Sequence, residues 1–418
     1  MGSRAEVTSR FAKAYATASK KDKGRVLDEV VAVTGWSRDN ARRRLVRAGK
    51  EPPGRGRDVA VRPRKPRAPK YSGDALKVLE RVWVASGGQC GKYLAASMRL
   101  QLDALERHRE LLQGREGYSL VVREELLAMS PASIDRYLRP IKAKDAIGGV
   151  ATTKPSPLLR SSIKIRRAGD EVEAEPGFFE VDTVAHCGAT LKGEFARTVN
   201  LTDVYTGWVF TRTVPNNAHS HILSTLKTAV AEIPFGLVGL DSDNGSEFLN
   251  QAVIGWAGPL GIYFTRSRPY KKNDQATIES KNNHLVRKYG FYYRYDTPEE
   301  RVVLNRLWRC VNDRLNYLTP TKKPLGYGSD RNGRRTRLYD HPATPLDRLL
   351  AAGVLAPAQA DELLAYRESL NPARHAREIA MLQQRLIALA KAKTEQLYLD
   401  TIPTALPSVR KGIRIAAN

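Results

Sequence analysis

Leu240-Asp241-Ser242-Asp243-Asn244-Gly245-Ser246-Glu247-Phe248 is the stretch on which the reading of this chain turns. Leu237-Val238-Gly239-Leu240 leads into it, short and apolar in the manner of a buried strand. The strand runs directly into carboxylates, and Asn244-Gly245 then forces a turn. Asp243 is thereby placed at the C-terminal end of a strand, the edge where α/β sheets carry their ligands.

Working outward, Phe178-Phe179-Glu180-Val181-Asp182-Thr183-Val184 is strand-like and carries Asp182. Phe195–Leu201 and Trp208–Val214 are also rich in β-branched and aromatic residues. His219–Ile233 reads as a helix, Ile262-Tyr263-Phe264-Thr265 as a strand, and 275–290 and 298–317 as helices. Glu279 lies on the first of these last two, in Gln275-Ala276-Thr277-Ile278-Glu279-Ser280-Lys281-Asn282-Asn283. Three successive strands, then strands alternating with helices, predict a mixed α/β sheet domain. Asp182, Asp243 and Glu279 converging on one sheet edge would repel one another unless cations neutralised them. Hard oxygen ligands select Mg²⁺ or Mn²⁺. Two such ions about 4 Å apart can bind the attacking and leaving oxygens of a phosphodiester. That is the chemistry of nucleases and phosphoryl transfer.

Asp243 and Glu279 are separated by 35 residues. With that spacing, the chain resembles the catalytic core of retroviral integrases and bacterial insertion-sequence transposases, the DDE polynucleotidyl transferases. Asp243-Asn244-Gly245-Ser246-Glu247-Phe248 looks like the family's second-Asp motif. Gln275 lies four residues before Glu279, Asn282 three after it, and Tyr270 nine before it. The resemblance covers residues 173–318 and implies a ribonuclease H-like fold. It further implies that Asp182 and Asp243 share one metal ion and Asp182 and Glu279 the other, two Mg²⁺ or Mn²⁺ per site. One ion would activate water and later a DNA 3′-hydroxyl, and the other would stabilise the leaving 3′-oxygen. No covalent protein–DNA bond and no ATP are required. Asn244, Ser246, Gln275, Asn282 and Arg287 become candidates for contact near the scissile phosphate, with Tyr270, Lys271 and Lys272 on the loop before the helix. The His-and-Cys zinc module of retroviral integrases is missing, which argues for an insertion-sequence transposase.

Other carboxylates fit less well. From Asp241 the 35-residue spacing fails, although it has the strand parity of Asp243. Glu180 shares a strand face with Asp182 and reads as a spectator. Asp203, in Thr202-Asp203-Val204-Tyr205-Thr206-Gly207, reads as a turn residue. His219 and His221 are two apart and face different directions on a helix, which excludes an i, i+4 zinc pair. His186-Cys187 lacks partners and reads as packing.

The flanks are basic. Lys plus Arg is 69 and Asp plus Glu 44 in 418 residues, a formal charge of +25, which points to a polyanion and first of all to nucleic acid. The chain's length suits two to four domains. Residues 1–50 read as a helix-turn-helix DNA-binding domain. Gly35 supplies its turn, Ser37 the N-cap, and Arg38, Asn40, Arg42 and Arg43 the basic second helix. Residues 51–72 form a Pro/Arg-rich linker; Arg62, Arg64, Lys65 and Arg67 suit an arm along phosphates, and a solubilising spacer equally. Residues 73–141 read as a second helix-turn-helix domain, with Ser133 and Arg136 on its reader helix. Residues 142–172 read as a linker. Residues 319–418 read as a C-terminal basic and helical region for DNA binding or oligomerisation, irregular through Tyr327–Arg337 and helical at 345–352, 357–369 and 372–395. Within it, Ile379, Leu382, Leu386 and Leu389 form a stripe that suits either a seam between copies or packing within the domain. Cys90, Cys187 and Cys310 are far apart with no CxxC, so a zinc ribbon and a disulfide framework are excluded. No apolar run has membrane length. A cytoplasmic, nucleoid-associated bacterial protein without a membrane partner is expected.

The function expected from these features is a transposase that binds the ends of a mobile element as double-stranded DNA. It would cleave there and join the 3′-hydroxyl ends to target DNA. Holding two ends together requires a homo-oligomer, a dimer or higher. A DNA-binding regulator without catalysis and a structure-selective ribonuclease H-like nuclease are the competing readings. A need for particular terminal sequences separates the transposase from the nuclease.

Overall fold

A computed structural model describes residues 4–49, 70–142, 175–242, 248, 251–266, 282–329, 333 and 335–401. The chain divides into two compact units, Met1–Ala68 and Pro69–Asn418.

In the first unit, α1 (Arg4–Thr17), α2 (Lys20–Thr34) and α3 (Arg38–Ala48) surround Tyr15, Leu27, Val30, Ala41 and Leu45. Ser19 and Ser37 cap α2 and α3, their side chains accepting the backbone N–H of Asp22 and Asn40. Gly35 ends α2 at φ +68°, a left-handed conformation that costs a residue without Cβ little. A turn between two helices and a basic second helix are therefore both present.

The second unit opens with α4 (Gly73–Ala85), α5 (Gly91–Arg107), α6 (Leu120–Leu127) and α7 (Pro131–Lys142). Their apolar faces meet in a core that includes Val78, Leu94, Met98, Leu102, Ile134 and Leu138. Ser130 caps α7 by accepting the Ser133 N–H at 3.3 Å, with Pro131 at the first helical position.

The sheet follows as β1 (Phe178–Ala185), β2 (Arg197–Asp203), β3 (Val209–Val214), β4 (Gly239–Ser242) and β5 (Tyr263–Arg266). Its order is β3-β2-β1-β4-β5. The β3-β2-β1 half is antiparallel, and β4 and β5 continue parallel to β1. The turn from β2 to β3 is held by Asp203, whose buried carboxylate accepts the Thr206 N–H and hydroxyl, both at 2.6 Å, and the Gly177 N–H at 2.8 Å. Asp203 is thus a turn residue, as its sequence context indicated. Helices α8 (His219–Glu232) and α9 (Gln251–Ala257) lie in the connections that make the parallel half possible.

The two faces of the sheet differ in chemistry. Phe179, Val181, Leu201, Phe210 and Leu240 bury one face against Ile222 and Leu226 of α8 and Val253 of α9. Strand alternation turns Thr198, Asn200, Thr202, Thr211 and Thr213 to the other face, all buried. Helix α10 (Pro298–Asp313) and the π-helical turn Arg314–Leu318 meet that face at β3. The Asn305 amide accepts from Thr213 N–H at 2.7 Å and donates to Thr213 C=O at 3.0 Å; Asn316 makes the same pair with Val209, at 2.8 and 2.9 Å. Two asparagines thereby occupy the ladder groups that an edge strand leaves open.

One expectation for the C-terminal region is corrected, and one open alternative is decided. Within Tyr327–Arg337, the described residues Tyr327–Ser329 and Arg335–Arg337 are not irregular: they belong to β6 (Pro324–Ser329) and β7 (Arg335–Tyr339), which form an antiparallel ribbon. The stripe on α13 (Pro372–Thr401) follows the second of its two readings, packing within the domain. Ile379, Leu382 and Leu386 are buried within the chain, in one core with Leu304, Leu307 and Trp308 of α10. Between ribbon and α13 stand α11 (Pro345–Ala352) and α12 (Pro357–Ser369). Among the described residues no helix is long and apolar enough to cross a membrane.

Candidate active site and nucleic-acid contacts

Asp182 sits on β1 opposite Asn200 of β2. The parallel pairing of β1 with β4 runs to Val181 opposite Ser242; the next residues in sequence are Asp182 and Asp243. The Asp182 carboxylate accepts its neighbour Thr183 N–H through Oδ1 at 2.6 Å. Its Oδ2 accepts the Asn282 amide at 2.6 Å. Asn282 comes from the π-helical turn Asn282–Arg287. Its Oδ1 accepts Asn200 Nδ2 at 3.2 Å, and Asn200 Oδ1 accepts the Thr211 hydroxyl at 3.2 Å. This chain of bonds decides which end of each amide is which. Both donors to Asp182 named here are neutral, and a carboxylate is a hard oxygen ligand of the kind that divalent cations take. Its surroundings therefore fit a divalent metal ion. Among the described residues no group of three or more His, Cys, Asp or Glu is placed to hold a metal.

One repeat deeper in the sheet lies a second acidic row. Glu180 stands beside Asp241, with Thr202 on its other side and Thr265 beyond Asp241. Thr265 donates to Asp241 Oδ1 at 2.6 Å. Glu180 and Asp241 are 3% and 0% exposed, so neither can meet a phosphodiester, whereas Asp182 is half-buried.

Asp243, Glu279, Asn244, Ser246, Tyr270, Lys271, Lys272 and Gln275 lie outside the described residues, as do Arg62, Arg64, Lys65 and Arg67. Arg287 donates to the Ala185 carbonyl at 3.0 Å and lies over the Tyr292 ring at 4.8 Å; burial lowers its pKa. It ties the π-helical turn to β1 rather than projecting freely toward DNA. His186 is fully buried, its Nε2 2.7 Å from the Thr198 hydroxyl, which identifies it as packing.

On α3, Arg38 pairs with Asp28 and reaches the Gly24 carbonyl, so it bridges two helices. Arg42 and Arg43 both reach Asp39, at 2.7 and 3.1 Å, on an exposed face with Asn40 half-buried. Arg44, which the sequence reading passed over, lies 4.5 Å above the Trp36 ring. On α7, Arg136 is exposed and Ser133 is half-buried, 3.0 Å from the Ser130 hydroxyl.

Sequence reasoning missed Asn200 and Thr211. Their relevance comes from the β1–β2–β3 register, which aligns Asp182, Asn200 and Thr211 across three strands. No local motif marks them.

A family model described as "Integrase core domain" matches residues 173–272. The chain is 36% identical over 348 residues to "Uncharacterized protein y4rM" of Sinorhizobium fredii (strain NBRC 101917 / NGR234), spanning 83% of this chain and 95% of that protein. The catalytic core domain of BIV integrase superposes at a TM-score of 0.29 with 15% identity, over 42% of this chain and 95% of that one, an overlap too loose to carry an argument.

Proposed function

From the premise that this chain belongs to the DDE integrase and transposase superfamily, we propose that it is an insertion-sequence transposase. Polynucleotidyl transfer is the activity that its integrase core implies. In the finer reading, the protein binds the ends of a mobile element and cleaves them with metal-activated water. It then joins the 3′-hydroxyl ends to target DNA by direct transesterification. The observation that carries this is Asp182, held by Asn282, which Asn200 holds in turn, on the strand next to β4, the strand that runs into Asp243.

Asp182, Asp243 and Glu279 would hold two Mg²⁺ or Mn²⁺ ions. Bound there, the ions would lower the pKa of a nucleophile and neutralise charge on the leaving oxygen. The chain's own share is orientation. Asn282 fixes the rotamer of Asp182, and Asn200 fixes Asn282. Asn244, Ser246, Tyr270, Lys271, Lys272 and Gln275 are proposed to meet DNA near the scissile phosphate. The face of α3 with Asn40, Arg42 and Arg43, the linker residues Arg62, Arg64, Lys65 and Arg67, and Ser133 and Arg136 of α7 are proposed to hold element ends. Two ends must be held at once, so a dimer or higher oligomer on DNA is proposed, with an interface other than the α13 stripe.

The test is strand transfer. Short duplexes from the ends of the encoding element are mixed with plasmid, Mg²⁺ and protein. Wild type joins them, and Glu279→Gln binds the ends without joining. Equal joining by both proteins removes Glu279 from the site. Binding by both without joining favours the regulator.

A further inference from the structure

On the reading that two DNA ends are held at once, we propose that α13 is the pairing helix of a homodimer. The face opposite its buried stripe lies antiparallel against the same face of a second copy. The exposed end of each helix enters a groove between α4 and α13 of the other copy.

The face comes first. Ile379, Leu382, Leu386 and Ala390 turn one side of α13 into the core. The opposite side carries Arg377, Ala380, Gln384, Ala388, Lys391 and Glu395, all exposed and spaced at steps of three or four residues. From Ala373 to Leu399 this side runs about 39 Å at 1.5 Å per residue. Short side chains at Ala380 and Ala388 let a second helix approach closely.

The ends of this face differ in shape. At the N-terminal end, α4 and α13 leave a groove of about 620 Å³ with Val84, Leu105, Leu111, Ala373, Ala376 and Ala380 in its wall. Val84 is 54% exposed there. At the C-terminal end, Tyr398 and Leu399 are 47% and 62% exposed. Tyr398 lies 18 residues beyond Ala380, about five turns, so the two stand on one line along the helix. A socket and a plug thus share one side of one helix, separated along its axis. Such a surface complements itself under a two-fold axis. An aromatic and an aliphatic anchor entering a pocket is the arrangement that carries most binding energy at interfaces.

Charge agrees with the antiparallel sense. A dyad level with Leu386 sets Leu399 opposite Ala373, Glu395 opposite Arg377 and Ala388 opposite Gln384. The Arg377 and Glu395 side chains are 64% and 61% exposed. Within its own copy Glu395 meets Lys391 at 3.8 Å, an exposed pair that contributes little by itself. Antiparallel pairing also opposes the two helix dipoles. DNA is the poorer occupant of the groove, because the wall is largely apolar and Glu80 and Glu110 stand among the cations of its rim.

The test is sedimentation of the full chain without DNA, at about 1–50 µM protein. Wild type should sediment as a dimer. Ala388→Arg places like charges beside the dyad, and Val84→Asp places a carboxylate in the groove. Each should raise the dimer dissociation constant roughly 100-fold. Both positions are exposed in the single chain, so melting and circular dichroism of the dissociated variants should show a folded protein. A wild-type monomer over this range overturns the pairing, as does a dimer that neither substitution weakens. Weakening by Ala388→Arg alone overturns the groove as the socket. Joining of element ends by a monomeric wild type overturns the pairing and leaves the transposase reading standing. A dimer that both substitutions break, yet that joins nothing, upholds the pairing and counts against that reading.

Discussion

The side-chain amide of Asn282 donates to Asp182 Oδ2 at 2.6 Å while its oxygen is held by Asn200 at 3.2 Å. A carboxylate expected to bind metal is thus oriented from a π-helical turn and from the neighbouring strand at once. Groups that orient a metal ligand commonly contribute 10- to 100-fold in metal affinity or activity.

Asn282→Ala should therefore raise the Mg²⁺ concentration for half-maximal strand transfer by roughly 10- to 100-fold. Asn200→Ala should act in the same direction and also cost about 1–3 kcal/mol of stability, because the Thr211 hydroxyl and Asn282 amide lose a buried partner. Magnesium titrations read the first effect and urea unfolding the second. A normal magnesium profile in both variants would show that Asp182 needs neither amide.

His186 sets a pH dependence of stability. Burial holds its pKa well below 6.5, with the charges of Arg287 and Arg197 adding to the effect. The unfolded chain takes up this proton first, so the stabilisation is present above pH 6.5 and is lost as pH falls below it. The slope is at most about 1.4 kcal/mol per pH unit. Urea midpoints at pH 7.5 and 5.5 should fall further for wild type than for His186→Gln. Parallel losses would assign the dependence to other groups.

Leu386 is fully buried in the core shared by α13 and α10. Leu386→Ala should cost about 2–5 kcal/mol of unfolding free energy. Sedimentation of the folded fraction should not change. A stable Leu386→Ala protein with weakened self-association would instead return the stripe to an interface between copies.

These outcomes mark what sequence could convey. Gly35 and Ser37 announced their turn and cap because a left-handed residue and an N-cap are local chemistry. The five strands of the sheet were each legible, though starts moved by up to two residues: the reading from Phe195 began at Arg197, and that from Leu237 at Gly239. Periodicity shows that a face is buried but not against what, so the α13 stripe stayed ambiguous until α10 was seen beneath it. The ribbon escaped because Gly326, Gly328 and the basic residues break the apolar alternation that marks strands. The Asp182–Asn200–Thr211 alignment is a property of register, which no single strand contains. Twelve proposed site residues, Asp243 and Glu279 among them, lie outside the described residues, so for these the sequence reading stands alone.

Exposure separates the two acidic rows and gives the last prediction. Asp182 is half-buried and anchored by amides, whereas Glu180 and Asp241 lie enclosed one repeat below. A carboxylate that water and DNA cannot reach cannot deliver a metal ion to a phosphodiester. Asp182→Asn should reduce strand transfer to background while leaving end binding intact. Glu180→Gln and Asp241→Asn should retain measurable transfer, with any loss tracking a fall in thermal stability. The comparison is made on all three variants at equal folded concentration, with joined product measured on gels. If Asp241→Asn binds DNA and melts like wild type yet joins nothing, Asp241 rather than Asp182 and its neighbours anchors the chemistry, and the site moves one repeat into the sheet.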